Sequence, residues 1–212
     1  MKENEKPIKE ESSITDEFKA EQENELANKK RLLRKELNQR QCTLSKEYKE
    51  EASVEIARKV FESKEYQDAE TIFIYSGTAN EVDTSIIIKD ALNRGKHVAL
   101  PKIVTLGIME ALEIESMEEL VPERHGILEP KEGSRIIQPE EIDLALIPCL
   151  GFSSDGYRIG YGGGFYDRFL PQGNFTKIII AFEKMSVDDL PVSAFDHQVD
   201  KIITESSIVD VR

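Results

Sequence analysis

The chain has 212 residues, 39% of them hydrophobic, which is enough to bury the core of one ordinary domain. Its net charge of −13 argues against sequence-independent nucleic-acid binding, which needs a basic face to neutralise phosphates. No apolar run is long enough to span a bilayer, and no charged-then-apolar signal peptide opens the chain, so a cytoplasmic protein without a membrane partner is expected.

Residues 1 to about 20 are polar, acidic and non-periodic and read as a disordered tail, leaving 21–212 as a single α/β domain. A helix is predicted from there to about Gln41, with an apolar stripe at Leu26, Leu33 and Leu37. Within it, residues 29–40 carry six Lys or Arg against one Glu. At 100° per residue Lys30 falls about 20° from Leu37, and Arg34 roughly 60° from it, so both edge the buried stripe and read as functional. Lys29, Arg31 and Lys35 point away and read as a solvated face. Cys42 and Cys149 stand alone without metal-ligand spacing, which favours two reduced thiols.

A second helix, capped by Thr43 or Ser45, runs to about Glu62. Short continuous apolar runs follow at 71–75 (TIFIY), 97–100 (HVAL), 142–147 (IDLALI) and 177–182 (KIIIAF), the pattern of parallel strands covered on both faces. Between the first two lies a helix that Thr84 or Asp83 can cap and Gly95 can end, completing a βαβ unit. Residues 109–114 and 201–204 read as further short strands. The alternation predicts a layered α/β/α fold with a mainly parallel sheet.

After the 142–147 strand comes Arg158-Ile159-Gly160-Tyr161-Gly162-Gly163-Gly164-Phe165-Tyr166-Asp167-Arg168, then a short helix that Pro171 stops. Glycines in this density permit positive φ and close backbone approach to an anion, beyond the carboxyl end of a strand where α/β sheets bind ligands. A flexible surface loop would have the same glycines. Against it stand two arginines that bracket the run and can pair with phosphate oxygens, three interleaved aromatics, and Asp167, whose carboxylate would repel phosphates unless magnesium bridges them. No Lys follows the glycines as in Walker A, and G-x-G-x-x-G fails at Phe165. Ser153 lies outside any G-x-S-x-G elbow.

The run GFSSDGYRIGYGGGFYDRFLP closely resembles the signature of the 5-formyltetrahydrofolate cyclo-ligase family. The resemblance extends from about Lys29 over nearly the whole chain. It takes in Lys30-x-x-x-Arg34, Tyr75, residues 80–84 (NEVDT), Pro101-Lys102, residues 126–130 (GILEP), residues 142–148, and the closing Leu190-Pro191, Asp196, Val199-Asp200 and Thr204-Glu205. It implies a fold of the sugar-phosphate isomerase and CoA-transferase type. The implied reaction converts 5-formyltetrahydrofolate and ATP, with magnesium, into 5,10-methenyltetrahydrofolate, ADP and phosphate. The resemblance implies that Lys30 and Arg158 act in catalysis and bind ATP together with Arg34 and residues Ile159, Gly160, Tyr161, Gly162, Gly163, Gly164, Phe165 and Tyr166. Glu81 matches a folate contact near the formyl group, shared with Tyr161, Gly162, Gly163, Gly164 and Phe165. Asp167 and Asp196 match magnesium ligands. Phe165 stands where many members carry Tyr, Ser153 and Ser154 replace a common Asp, and Met185 replaces a usual Gln. His125 and His197 read as surface or packing residues, and Asp200 and Glu205 as structural.

Overall fold

A computed structural model describes residues 8–123 and 127–212, with side chains from Ala20 onward. Helix α1, Ile8–Thr43, begins well before residue 21, so residues 8–20 of the expected tail are helical. The reason lies in composition: neither Gly nor Pro interrupts that span, and Glu, Lys and Ala, all good helix formers, supply six of its 13 residues. Residues 1–7 of that expected tail lie outside the described residues. Helix α2, Lys46–Glu62, starts at Ser45, whose hydroxyl accepts from the Tyr48 amide at 3.1 Å, while Thr43 donates back to the Arg40 carbonyl inside α1. Helix α3 spans Lys64–Asp68.

Strand β1, Thr71–Ile74, leads through a loop to α4, Ser85–Asn93. Asp83 caps α4, accepting from the Ser85 amide at 3.0 Å. Thr84 occupies the cap position, but its hydroxyl donates to the Tyr75 carbonyl and accepts from the Gly77 amide, bracing the turn after β1. Gly95, at φ 73°, ends the helix and turns the chain into β2, His97–Thr105. The chain continues through β3 (Ile108–Ile114), β4 (Leu120–Pro122), β5 (Leu128–Pro130), β6 (Ile136–Ile137) and β7 (Leu144–Ile147). Then come β8 (Gly151–Phe152), β9 (Arg158–Ile159), helix α5 (Phe165–Phe169), β10 (Thr176–Ile180), β11 (Lys201–Ile203) and β12 (Ile208–Asp210).

Eight strands form the central sheet in the order β12-β11-β10-β7-β1-β2-β3-β6. The five inner strands from β11 to β2 run parallel, and antiparallel pairs close both edges. Successive residues alternate between two cores. Ile72, Ile74, Leu144, Leu146, Ile178 and Ile180 face one side, packed on Leu37, Ile56, Val60 and Ile87 from the helices. Phe73, Ala145, Ile147 and Ile179 face the other, packed on Phe169, Leu170 and Phe175. Burial on both faces is why these strands read as unbroken apolar runs. The second layer is thin, since its one helix, α5, has five residues.

The winding reverses between neighbours β1 and β7: the chain leaves β1 for β2 on one side and β7 for β10 on the other. Loops leaving these two carboxyl ends therefore diverge over an open crevice, the place where such sheets take ligands.

Candidate active site

A cleft of about 470 Å³ occupies that crevice. The glycine loop forms one wall. The β8–β9 hairpin returns the chain after β7 and sets Arg158 beneath the loop, its side chain 5% exposed. Gly162 (φ 106°) and Gly164 (φ 65°) adopt conformations that L side chains resist, and they fold the run from Gly160 to Gly164 along the cleft. The dipole of the short helix α5 is small, so anion affinity falls mainly on side-chain cations.

Those cations converge as the helical angles predicted. Lys30 pairs with Asp196 and lies 3.4 Å from the Ser193 hydroxyl. Arg34 donates through Nε to the Gly160 carbonyl at 2.9 Å, which docks α1 against the loop. Lys29, Arg31 and Lys35 are exposed. Asp167 is not the unpaired carboxylate that its loop position suggested, because Arg158 Nη2 donates to its Oδ1 at 2.7 Å. Asp196 likewise accepts from the amide and hydroxyl of Ser193 as well as from Lys30. Burial pushes its carboxyl up, but these bonds prevail and hold it below the usual carboxylate range.

Arg168 departs from the expected phosphate role. Its guanidinium donates to the Gly107 carbonyl at 2.7 Å and to the Gly163 carbonyl at 2.5 Å, tying the β2–β3 hairpin to the glycine loop. Glu81 is not part of α4, which begins at Ser85. Its carboxylate accepts from the Thr78 amide at 3.0 Å and lines the cleft. Burial, reinforced by the Glu81 charge, pushes the phenols of Tyr75 and Tyr161 up; in Tyr166 burial again leads, and Arg158 opposes it. All three tyrosines thus keep their protons and can donate hydrogen bonds.

Ile159, Phe165 and Tyr166 also line the cleft, so it gathers every predicted site residue. Burial pushes the Cys149 thiol up to about 12, so it is no nucleophile. Asp200 accepts from the Lys177 amide and Glu205 from the Glu183 amide, both structural contacts. Met185 is buried in the core away from the cleft lining, and His197 is exposed, while the expectation for His125 falls outside the described residues. A second hollow of about 650 Å³ meets the first at Thr78 and Glu81, but neither Lys30, Arg34 nor the glycine loop lines it.

The cleft's far end was legible only as motif fragments. Glu129 lines it beside Pro101, Ile103, Met109, Ile127 and Leu128, and Lys102 Nζ lies 3.2 Å from the Glu129 carboxylate. The signal was a charged residue just past the apolar run of a strand, Lys102 in β2, with an acidic residue in the neighbouring β5.

The 5-formyltetrahydrofolate cyclo-ligase family model matches residues 26–205. The chain belongs to this family. The mouse 5-formyltetrahydrofolate cyclo-ligase is 33% identical over 197 residues, covering 84% of this chain and 94% of its own. The NMR structure of the Aquifex aeolicus 5,10-methenyltetrahydrofolate synthetase superposes with a TM-score of 0.78 at 28% identity, covering 86% of this chain and 93% of that one. The Mycoplasma pneumoniae 5,10-methenyltetrahydrofolate synthetase gives 0.69 at 28% identity, covering 83% and 98%. The cyclo-ligase match thus takes in α1 from residue 26, the glycine loop and Asp196 together. Among the described residues no helix is long and apolar enough to cross a membrane.

Proposed function

We propose that this chain uses ATP to cyclise 5-formyltetrahydrofolate to 5,10-methenyltetrahydrofolate, releasing ADP and phosphate. One observation carries the reading: a single cleft joins the cations Lys30, Arg34 and Arg158 around a glycine loop to Glu81, which follows the adjacent strand. A phosphate donor and an acceptor can therefore meet within one crevice.

The formyl oxygen of an amide is a poor leaving group, and phosphorylation cures that. The formyl oxygen forms a bond to the γ-phosphorus as the bond to ADP breaks, leaving a cationic N–CH–O-phosphate. The folate's exocyclic nitrogen then attacks that carbon, the C–O bond breaks, phosphate departs, and the nitrogen gives up its proton. Lys30, Arg34 and Arg158 hold the phosphates and stabilise the charge that moves between them, work that is mostly positioning and electrostatics. Glu81 places a carboxylate near the carbon that becomes cationic. Tyr161 and Phe165 supply flat faces along the folate.

Magnesium fits the residues present. The cleft sets four carboxylates (Glu81, Glu129, Asp167 and Asp196) against three cations, a poor balance for a polyphosphate alone. Asp167 and Asp196 would hold the ion, which commonly takes one or two carboxylates plus phosphate oxygens and adds neutralising charge. Among the described residues no three His, Cys, Asp or Glu side chains gather to hold a metal unaided. The two unpaired cysteines support a reducing compartment, the cytoplasm.

Substrate labelled with oxygen-18 in the formyl group tests the phosphorylation step. The label should appear in the released phosphate, and label appearing in water instead would contradict the step.

A further inference from the structure

The charged groups of the cleft follow the strand order of the sheet. Asp196, from the β10–β11 connection, meets Lys30; the glycine loop follows β7, and Glu81 follows β1. Lys102 lies in β2 beyond the end of β1, since Phe73, next to last in β1, is already opposite Ala99. Glu129 in β5 pairs with Lys102. Because β11, β10, β7, β1 and β2 are successive neighbours, Glu129 stands at the end of the cleft farthest from Lys30, with Glu81 between them.

Glu129 is also built in. Its side chain is 12% exposed and that of Lys102 is 15%, and the lysine also pairs with Glu123 at 3.1 Å. Around the carboxylate the walls are apolar: Pro101, Ile103, Met109, Ile127 and Leu128. A largely buried carboxylate at the end of an apolar slot suits a planar heterocycle that presents two adjacent N–H donors. The pterin ring of a folate has this form, with a ring N–H beside a 2-amino group and a carbonyl next to them. A carboxylate can accept both donors side by side, the geometry it uses with guanidinium groups.

Resting on the folate reading above, we propose that Glu129 is the pterin-recognition group of the cleft. It accepts the ring N–H and the 2-amino group as two parallel hydrogen bonds. Lys102, which does not itself line the cleft, is a positioning residue that holds the carboxylate. The array of Lys30, glycine loop, Glu81 and Glu129 then sets phosphate, formyl group and pterin in order along one edge of the sheet.

The test compares the full chain with Glu129→Gln and Glu129→Leu, measuring equilibrium affinity for 5-formyltetrahydrofolate without ATP, the KM for ATP, and thermal melting. A tetrahydropterin lacking the aminobenzoylglutamate arm serves as a probe, with its 2-deamino analogue tested on the unsubstituted protein. Both substitutions should weaken folate and pterin by about tenfold or more, the size expected for paired hydrogen bonds to a charged group, with the KM for ATP within about threefold. The 2-deamino probe should bind the unsubstituted chain correspondingly weakly, a result that does not depend on how a variant folds. Folate affinity unchanged in both variants, equal weakening of ATP, or equal binding of the two probes would overturn the assignment. A chain that forms no methenyl product yet loses pterin affinity on substitution would contradict the proposed activity and leave Glu129 in place.

Discussion

Arg158→Met should lower kcat/KM about 10²- to 10³-fold, the range for removing one preorganised charge-stabilising donor from an active site. Arg158 has three tasks in the cleft: it is buried beneath the glycine loop, it pairs with Asp167 at 2.7 Å, and its guanidinium lies 5.4 Å from the Tyr166 ring centre. Methionine fills much of the volume but leaves Asp167 without its cation and tips the cleft further toward negative charge. The KM for ATP should rise with the fall in kcat. Arg158→Lys should recover only part of the loss, because a lysine restores charge without the planar fork that holds both carboxylate and phosphate. Steady-state kinetics on the two variants, with melting curves as a control, decide the matter. A change in kcat/KM of less than about threefold for methionine would remove Arg158 from the reaction.

Lys30→Ala should raise the KM for ATP about 10- to 100-fold, as expected for the loss of a charge-assisted contact, and leave the folate KM nearly unchanged. The reverse split would mean that the two substrate ends of the cleft have been exchanged. The same substitution has a pH signature. Asp196 titrates below its ordinary value in the folded chain, with burial opposing and the Lys30 and Ser193 bonds favouring the charged form. A depressed folded value stabilises the fold at pH above the unfolded value of about 3.9 and loses that contribution as pH falls through the folded value. Removing Lys30 leaves a carboxylate 12% exposed without its cation, at a cost on the order of 3 kcal/mol near neutral pH. The deficit should shrink as pH falls toward 4 and Asp196 takes up a proton. Melting curves of both proteins between pH 4 and 7 measure it, and a deficit that does not vary with pH would contradict the pairing.

Much of this site could be read in the chain before its fold was known, because its parts are local. Lys30 and Arg34 sit at fixed angles from Leu37 on one helix, so helical geometry alone turned them inward. The glycines and Arg158 lie within seven residues, and the sheet strands declared themselves by continuous burial. What stayed hidden depends on contacts between distant segments. The carboxylate of Asp167 looked unpaired because the hairpin that brings Arg158 back beneath it reverses the chain. Arg168 looked like a phosphate ligand because Gly107, its partner, is 61 residues away. Glu129 and Lys102 were fragments of a motif until β2 and β5 brought them together. The start of α1 was misplaced for a different reason: residues 8–20 contain no Gly or Pro to stop a helix but also no apolar stripe, so periodicity gave no signal there.

The most direct test of the cyclo-ligase reading is a spectroscopic assay with purified chain, magnesium, ATP and 5-formyltetrahydrofolate. All four together should generate the absorbance of 5,10-methenyltetrahydrofolate, with ADP accumulating in equal amount, and omission of any one should abolish it. No methenyl absorbance with all four present would contradict the account, whereas tight binding of both substrates without turnover would mark the chain as a binding protein built on this fold.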